Sequence, residues 1–157
     1  MESQRNMLRR KRFDPKIVGL TLAVMFLIVT PAMYVHEIGH VLICQANGFE
    51  SDMHVDAFGA SAICYGSFDD PFFYNIFGGV LAFMVFAFPG LHKSTKGKPW
   101  VYIPFVSVGV GHGINALIEA FFYESYINGD PIWSVVMASA SYGLFIGLLL
   151  KYGRVQR

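Results

Sequence analysis

Long apolar runs, separated by short polar segments, dominate the sequence. Four runs lie at residues 17–46, 72–91, 100–123 and 131–150, and they hold almost no charged residues. A helix needs about 20 mainly apolar residues to cross the hydrocarbon core of a bilayer. Each of the four runs is long enough. The pattern therefore predicts an all-α membrane protein with four transmembrane helices. We expect these helices to contact the lipid bilayer.

Composition agrees with the hydropathy pattern and excludes one class of partner. The chain has 157 residues, of which 54% are hydrophobic and 15% are charged. Soluble domains carry roughly 25% charged residues. The net charge of +1 is too small for the basic surface that binds nucleic acid, so we expect no nucleic-acid partner.

Basic residues predict how the chain is oriented in the membrane. All 12 Lys and Arg residues precede the first span, join the second to the third, or follow the fourth. Cytoplasmic segments are enriched in Lys and Arg, so we expect both termini in the cytoplasm. Three parts follow: a basic cytoplasmic tail (1–16), a transmembrane domain (17–151) and a cytoplasmic tail (152–157).

The first extracytoplasmic loop has a pattern of its own. Residues 54–65, HVDAFGASAICY, mix apolar and polar alternation with small side chains, which is typical of short strands. We expect a small β element there. Cys64 lies in this loop and Cys44 near the outer end of the first span. They can pair on an oxidising face, or Cys44 can be a buried helix cysteine or a soft metal ligand.

The most specific motif is HEIGH at residues 36–40, which continues the first apolar run. In a helix, residues four apart share a face, so His36 and His40 can bind one metal ion. Glu37 then serves as general base for the attacking water, with one Zn²⁺ as Lewis acid. Ionisable groups within a bilayer cost roughly 2.5–3.5 kcal/mol on insertion scales, which favours a role over chance. The alternative is that the motif lies at the interface and reaches water.

A third metal ligand has several candidates. His112, Asn115 and Glu119 lie on one face of the third span. Glu119 is the first choice because two histidines and a carboxylate form a common hydrolytic zinc set. Asp130, His112 and Glu124 remain alternatives. Asn115 is a candidate catalytic residue that binds a substrate carbonyl or an oxyanion, although interhelical hydrogen bonding also explains such a stripe.

Small residues in the second span give two further interpretations. Gly78 and Gly79 can let an extended substrate approach the metal, which makes them candidate substrate-binding residues. They can also serve only to let helices pack closely. His54 in the outer loop and His92 at the inner edge are expected to be ordinary surface histidines.

These motifs resemble those of the site-2 protease family of intramembrane zinc metalloproteases. The resemblance covers roughly residues 20–130 and rests on HEIGH within an apolar helix, a β-like stretch at 48–66 and Gly78-Gly79. It implies zinc held by both motif histidines, Glu37 as base, and cleavage of a membrane-spanning protein. It also implies that the β-like stretch pairs with an unwound substrate strand. Two features depart from the family: there is no Asp-Gly motif in a later span, and HEIGH lies nearer the outer face.

Three functional hypotheses follow from the sequence. The first is an integral-membrane zinc metallopeptidase that hydrolyses a peptide bond in or near the membrane. The second is a non-catalytic metal-binding protein or an accessory subunit of a larger membrane complex. The third is a membrane metal hydrolase that acts on a lipid.

Overall fold

Four long helices form the protein, and a computed structural model describes residues 12–56 and 59–155. Each of the four is long and apolar enough to cross a membrane, which confirms the predicted fold class. In chain order the elements are β1 (Arg12–Phe13), α1 (Pro15–Ala46), β2 (Ser51–Val55), β3 (Ala60–Cys64), α2 (Phe72–Leu91), α3 (Lys93–Lys96), α4 (Pro99–Ile127), α5 (Pro131–Tyr152) and β4 (Arg154–Val155).

Local sequence explains where the helices begin. The Asp14 side chain accepts a hydrogen bond from the backbone N–H of Lys16, and Pro15 is the first residue of α1. Asp130 and Pro131 repeat this arrangement at the start of α5. An acceptor side chain at the N-cap satisfies an otherwise unpaired N–H, and proline tolerates the first helical position. α4 extends four residues beyond the predicted 123, with a break in helical geometry at Phe122.

α4 lies at the centre of the bundle and packs against α1, α2 and α5. Small residues bring α2 and α4 together. A Cβ atom built on Gly109 of α4 would lie 2.5 Å from the backbone nitrogen of Ala87 in α2. In lipid there is no hydrophobic driving force between helices. Membrane helices therefore associate through close van der Waals packing, which small residues allow. This packing holds α4 closely against α2.

Both described ends of the chain lie at the same end of the bundle. β1 pairs antiparallel with β4, and the Asp14 backbone N–H donates to the Gly153 carbonyl at 3.0 Å. This agrees with termini on one side, while the assignment of that side to the cytoplasm stays a prediction. Of the two predicted tails, residues 1–11 and 156–157 lie outside the described residues.

The predicted β element is a hairpin of β2 and β3, which pair antiparallel with Ser51 opposite Cys64. The hairpin packs on α1. A disulfide joins Cys44 of α1 to Cys64 of β3, with the two Cα atoms 5.8 Å apart. Cys44 is therefore neither a free helix cysteine nor a metal ligand. The disulfide fixes the hairpin one turn of helix beyond HEIGH.

Candidate metal centre

HEIGH lies in the last third of α1, and the helix turns both motif histidines toward the bundle interior. His36 is 4% exposed and His40 is 8% exposed. Their Nε2 atoms are 3.1 Å apart. The Nδ1 of His40 lies 2.8 Å from the backbone carbonyl oxygen of Tyr74, to which it donates a hydrogen bond. The proton is therefore on Nδ1, and the lone pair of Nε2 faces the neighbouring imidazole.

Glu119 of α4 completes the group. One carboxylate oxygen is 3.3 Å from Nε2 of His36, and the other is 3.5 Å from Nε2 of His40. Ligands bound tetrahedrally at about 2.0–2.2 Å are separated from one another by roughly 3.4 Å. We call His36, His40 and Glu119 the ligand triad. Its dimensions match this spacing, so the triad can hold a metal ion.

An unpaired oxygen supports the same conclusion. The Oε2 atom of Glu119 is buried and has no hydrogen-bond partner within residues 12–56 and 59–155. A buried carboxylate oxygen without a partner is costly, and such atoms are rare in folded proteins. A bound cation satisfies Oε2 and both Nε2 lone pairs at once. The chemistry of the donor set therefore fits a metal ion.

Neighbouring side chains orient the triad. The Nδ2 atom of Asn115 donates a hydrogen bond to Oε1 of Glu119 at 2.9 Å. The Nδ1 atom of His112 lies 3.3 Å from Nδ1 of His36, so His112 stands behind that ligand. Partners of this kind fix the ring orientation and the tautomer of metal-binding histidines. The structure thus places two of the predicted α4 residues in supporting positions, one against each side of the triad.

Glycines make room for the motif. A Cβ atom on Gly39 would lie 2.6 Å from the Cα of Gly78, so α1 and α2 touch at these two residues. A Cβ atom on Gly78 would collide with the His40 ring, and one on Gly79 would lie 2.5 Å from the His112 carbonyl oxygen. Gly78 and Gly79 thus pack between helices, and the described lining of the adjoining cavity includes neither. Their predicted contact with substrate stays a prediction.

A cavity of about 500 Å³ adjoins the triad, between α1 and α5 and over α4. Its polar end includes Glu37, and the electrostatic neighbours of that carboxylate are His36, His40 and Glu119. The backbone amide of Ala62 in β3 also interacts with Glu37. The general-base candidate therefore lies between the triad, the cavity and the hairpin.

Several predicted alternatives lie away from the triad. Asp130 accepts hydrogen bonds from the Ile132 backbone N–H and the Ser125 hydroxyl, so it caps α5. Glu124 is exposed near the end of α4. The two histidines expected on the surface, His54 and His92, are both exposed.

Three contributors were not predicted from the sequence. Tyr74 contributes its backbone carbonyl, and a pattern of side-chain types cannot predict a backbone contact. Gly39 occupies a variable position of the HExxH pattern, yet it controls the approach of α2. Ser107 lines the cavity two turns below Asn115 on the same face of α4. The eight-residue spacing between the two residues is the sequence feature that could have indicated this position.

Comparison of the chain with protein-family models, curated proteins and solved structures gives no match. The functional conclusions accordingly rest on the geometry of the site.

Proposed function

We propose that this chain is a membrane-integral zinc metallopeptidase that hydrolyses a peptide bond in or near the bilayer. One observation carries the proposal: the ligand triad converges inside the bundle with the Glu37 carboxylate beside it, at the polar end of a cavity. A structural metal site would not need a free carboxylate next to its ligands. Hydrolytic sites need one, because a general base must take a proton from the attacking water.

Two nitrogen donors and one carboxylate oxygen form a ligand set that catalytic zinc uses, and three protein ligands leave one position open for chemistry. When bound, zinc lowers the pKa of a coordinated water toward about 7 and polarises a carbonyl group. The triad is buried, so the electrostatic effect of its groups on a substrate is larger than at a surface.

The chain's own residues then move the proton. Glu37 accepts a proton from water as the water oxygen adds to the peptide carbonyl carbon. The same carboxylate passes the proton to the departing nitrogen as the C–N bond breaks, so that water supplies an OH group to the new carboxylic acid and one hydrogen to the new amine. Asn115 holds Glu119 in place through a hydrogen bond donated by its Nδ2 atom. Its Oδ1 atom is buried and accepts no hydrogen bond from any residue that the structure describes.

The proposal includes that this chain is a member of the site-2 protease family. Its supports are HEIGH on a membrane-spanning helix, the hairpin beside the motif and the glycine pair against it. The disulfide between α1 and β3 supports the predicted extracytoplasmic location of that end, because disulfides persist in oxidising compartments.

The test compares wild-type protein with Glu37→Gln, using Glu124→Gln as an exposed control on α4. All three are expressed in cells, and the new N-termini of membrane proteins are determined together with the zinc content of each purified chain. We expect all three to bind one zinc, and only Glu37→Gln to produce no new N-termini.

Two results would contradict the proposal. Identical N-termini from Glu37→Gln would exclude this residue as the base. Zinc-loaded wild type that produces no cleavage, with cellular function preserved in Glu37→Gln, would instead indicate the non-catalytic metal protein.

A further inference from the structure

The cavity extends along α1, and its two ends differ in polarity. Its polar end is at the triad, and from there it extends down α1 past Met33 and Val29 to Met25. Eleven residues separate Met25 from His36, which corresponds to about 16 Å along a helix. α5 closes the opposite wall with Met137 and Tyr142. Methionine side chains are flexible and adapt to irregular apolar partners.

Two polar oxygens without partners interrupt this apolar wall. Oδ1 of Asn115 and Oγ of Ser107 are buried, and neither has a hydrogen-bond partner in the described part of the chain. Asn115 is 8% exposed and Ser107 is 0% exposed, and both residues line the cavity. They lie eight residues apart on α4, at about 12 Å. A buried polar atom without a partner destabilises the protein until something binds to it.

We propose that the cavity binds three to four residues of extended, apolar peptide chain, and that Ser107 hydrogen-bonds to that chain at its inner end. This rests on the proposed peptidase function and names the substrate segment that reaches the site. An extended chain advances about 3.3–3.6 Å per residue, so three to four residues connect the levels of Asn115 and Ser107. Every non-proline residue also offers an N–H donor and a carbonyl acceptor to these two side chains.

Hydrogen bonding favours peptide over an acyl chain. A hydrocarbon chain fits the methionine-lined wall but has no donor or acceptor for Asn115 and Ser107. Binding it would leave both oxygens buried and unpaired. An extended peptide satisfies them and still presents apolar side chains to Met33 and Met137.

The experiment measures binding of two hydroxamates to the zinc-loaded protein in nanodiscs. One probe is acetyl-trileucine hydroxamate, which carries peptide N–H and carbonyl groups. The other is dodecanoyl hydroxamate, which reaches a similar distance without them. Both use the same metal-binding group. The variants are Ser107→Ala and a matched control, Ser139→Ala, which removes an exposed hydroxyl from α5.

We expect the trileucine probe to bind wild type more tightly than the dodecanoyl probe. Ser107→Ala should weaken the trileucine probe about 2- to 10-fold, as one lost hydrogen bond implies, and leave the dodecanoyl probe unchanged. Its melting temperature should stay the same or rise, because the lost hydroxyl has no hydrogen-bond partner among residues 12–56 and 59–155. Ser139→Ala should change neither affinity.

Three outcomes would overturn the inference. Tighter binding of the dodecanoyl probe would assign the cavity to an acyl chain. Equal trileucine affinity in wild type and Ser107→Ala would remove Ser107 from substrate binding. Failure of both probes to bind zinc-loaded wild type would mean that the cavity does not open to the metal. The proposed function is judged separately, by zinc content and by cleavage that depends on Glu37.

Discussion

Alanine at Gly78 would place a methyl group against the metal-binding ring of His40. The new Cβ would collide with Nε2 and lie 2.6 Å from Cδ2 of that ring, and 2.8 Å from the His36 carbonyl oxygen. Ordinary contacts begin at 3.4 Å, so the ring must move by more than about 0.8 Å. Zinc sites tolerate deviations of about 0.2 Å in ligand distance. The required movement is several times larger, so Gly78→Ala should displace His40 from the triad.

The expected loss of zinc affinity is at least 10-fold, the range found when groups supporting a metal ligand are changed. Overpacking should also lower the free energy of unfolding by about 1–3 kcal/mol. Affinity is measured by competition with a chelator of known zinc affinity, on protein in nanodiscs, and stability by thermal unfolding.

Two control variants separate the ligand effect from packing damage. Gly147→Ala adds a methyl group where no described atom lies within 4 Å. It should bind zinc normally and gain slightly in stability, since alanine is the better helix former. Gly79→Ala puts a Cβ 2.5 Å from the His112 carbonyl oxygen, away from the His40 ring. It should lose stability with a smaller loss of zinc affinity.

The reasoning fails if folded Gly78→Ala binds zinc as tightly as wild type. It also fails if Gly79→Ala and Gly78→Ala lose zinc affinity equally, because the effect would then arise from helix packing and not from the ring.

The remaining predictions concern the third ligand, its support and the hairpin. Glu119→Gln should lose bound zinc, whereas Asp130→Asn should retain it and lose only a helix cap; the opposite pattern in a metal assay would exclude our triad. His112→Leu should weaken zinc binding about 10- to 100-fold, and His112→Asn should recover part of that affinity by restoring a polar partner for His36. Equal zinc affinities in wild type and His112→Leu would show that the contact between His112 and His36 does not support metal binding. Cys64→Ser opens a disulfide that closes a 20-residue separation, so it should cost about 3 kcal/mol of unfolding free energy; an unchanged melting temperature, or no mobility shift of wild type on reduction, would argue against the bond.

Much of the fold was predictable because lipid imposes strong rules. A spanning segment must be apolar and helical, so hydropathy alone located all four long helices to within a few residues. The largest difference is at the end of α4, where Glu124, Ser125, Tyr126 and Ile127 continue the helix beyond the predicted run. Hydropathy reports where lipid ends, and hydrogen bonding decides where a helix ends.

The candidate site was predictable in part. Residues four apart on one helix share a face, so His36 and His40 follow from local geometry. Assigning Glu119 as the third ligand requires knowing that α1 and α4 lie side by side. That arrangement depends on close packing at Gly39, Gly78 and Gly79. The sequence alone does not decide the role of Asp130, because an acidic residue just before a membrane span can cap the helix or bind a metal ion. Only the fold shows that it caps α5.

The disulfide and the supporting contacts needed three-dimensional distances. Spacing along the chain does not give the 5.8 Å between the Cα atoms of Cys44 and Cys64. The partner of the His40 Nδ1 atom is a backbone carbonyl on α2, a group that every residue carries. Contacts of this kind leave no pattern in side-chain identity.

The most direct test of the central claim is a zinc-edge anomalous diffraction measurement on crystals of the zinc-loaded protein. We predict one anomalous peak per chain, at about 2.0–2.2 Å from Nε2 of His36, Nε2 of His40 and a carboxylate oxygen of Glu119. A peak on other residues, or none at that position in protein shown to contain zinc, would contradict the account.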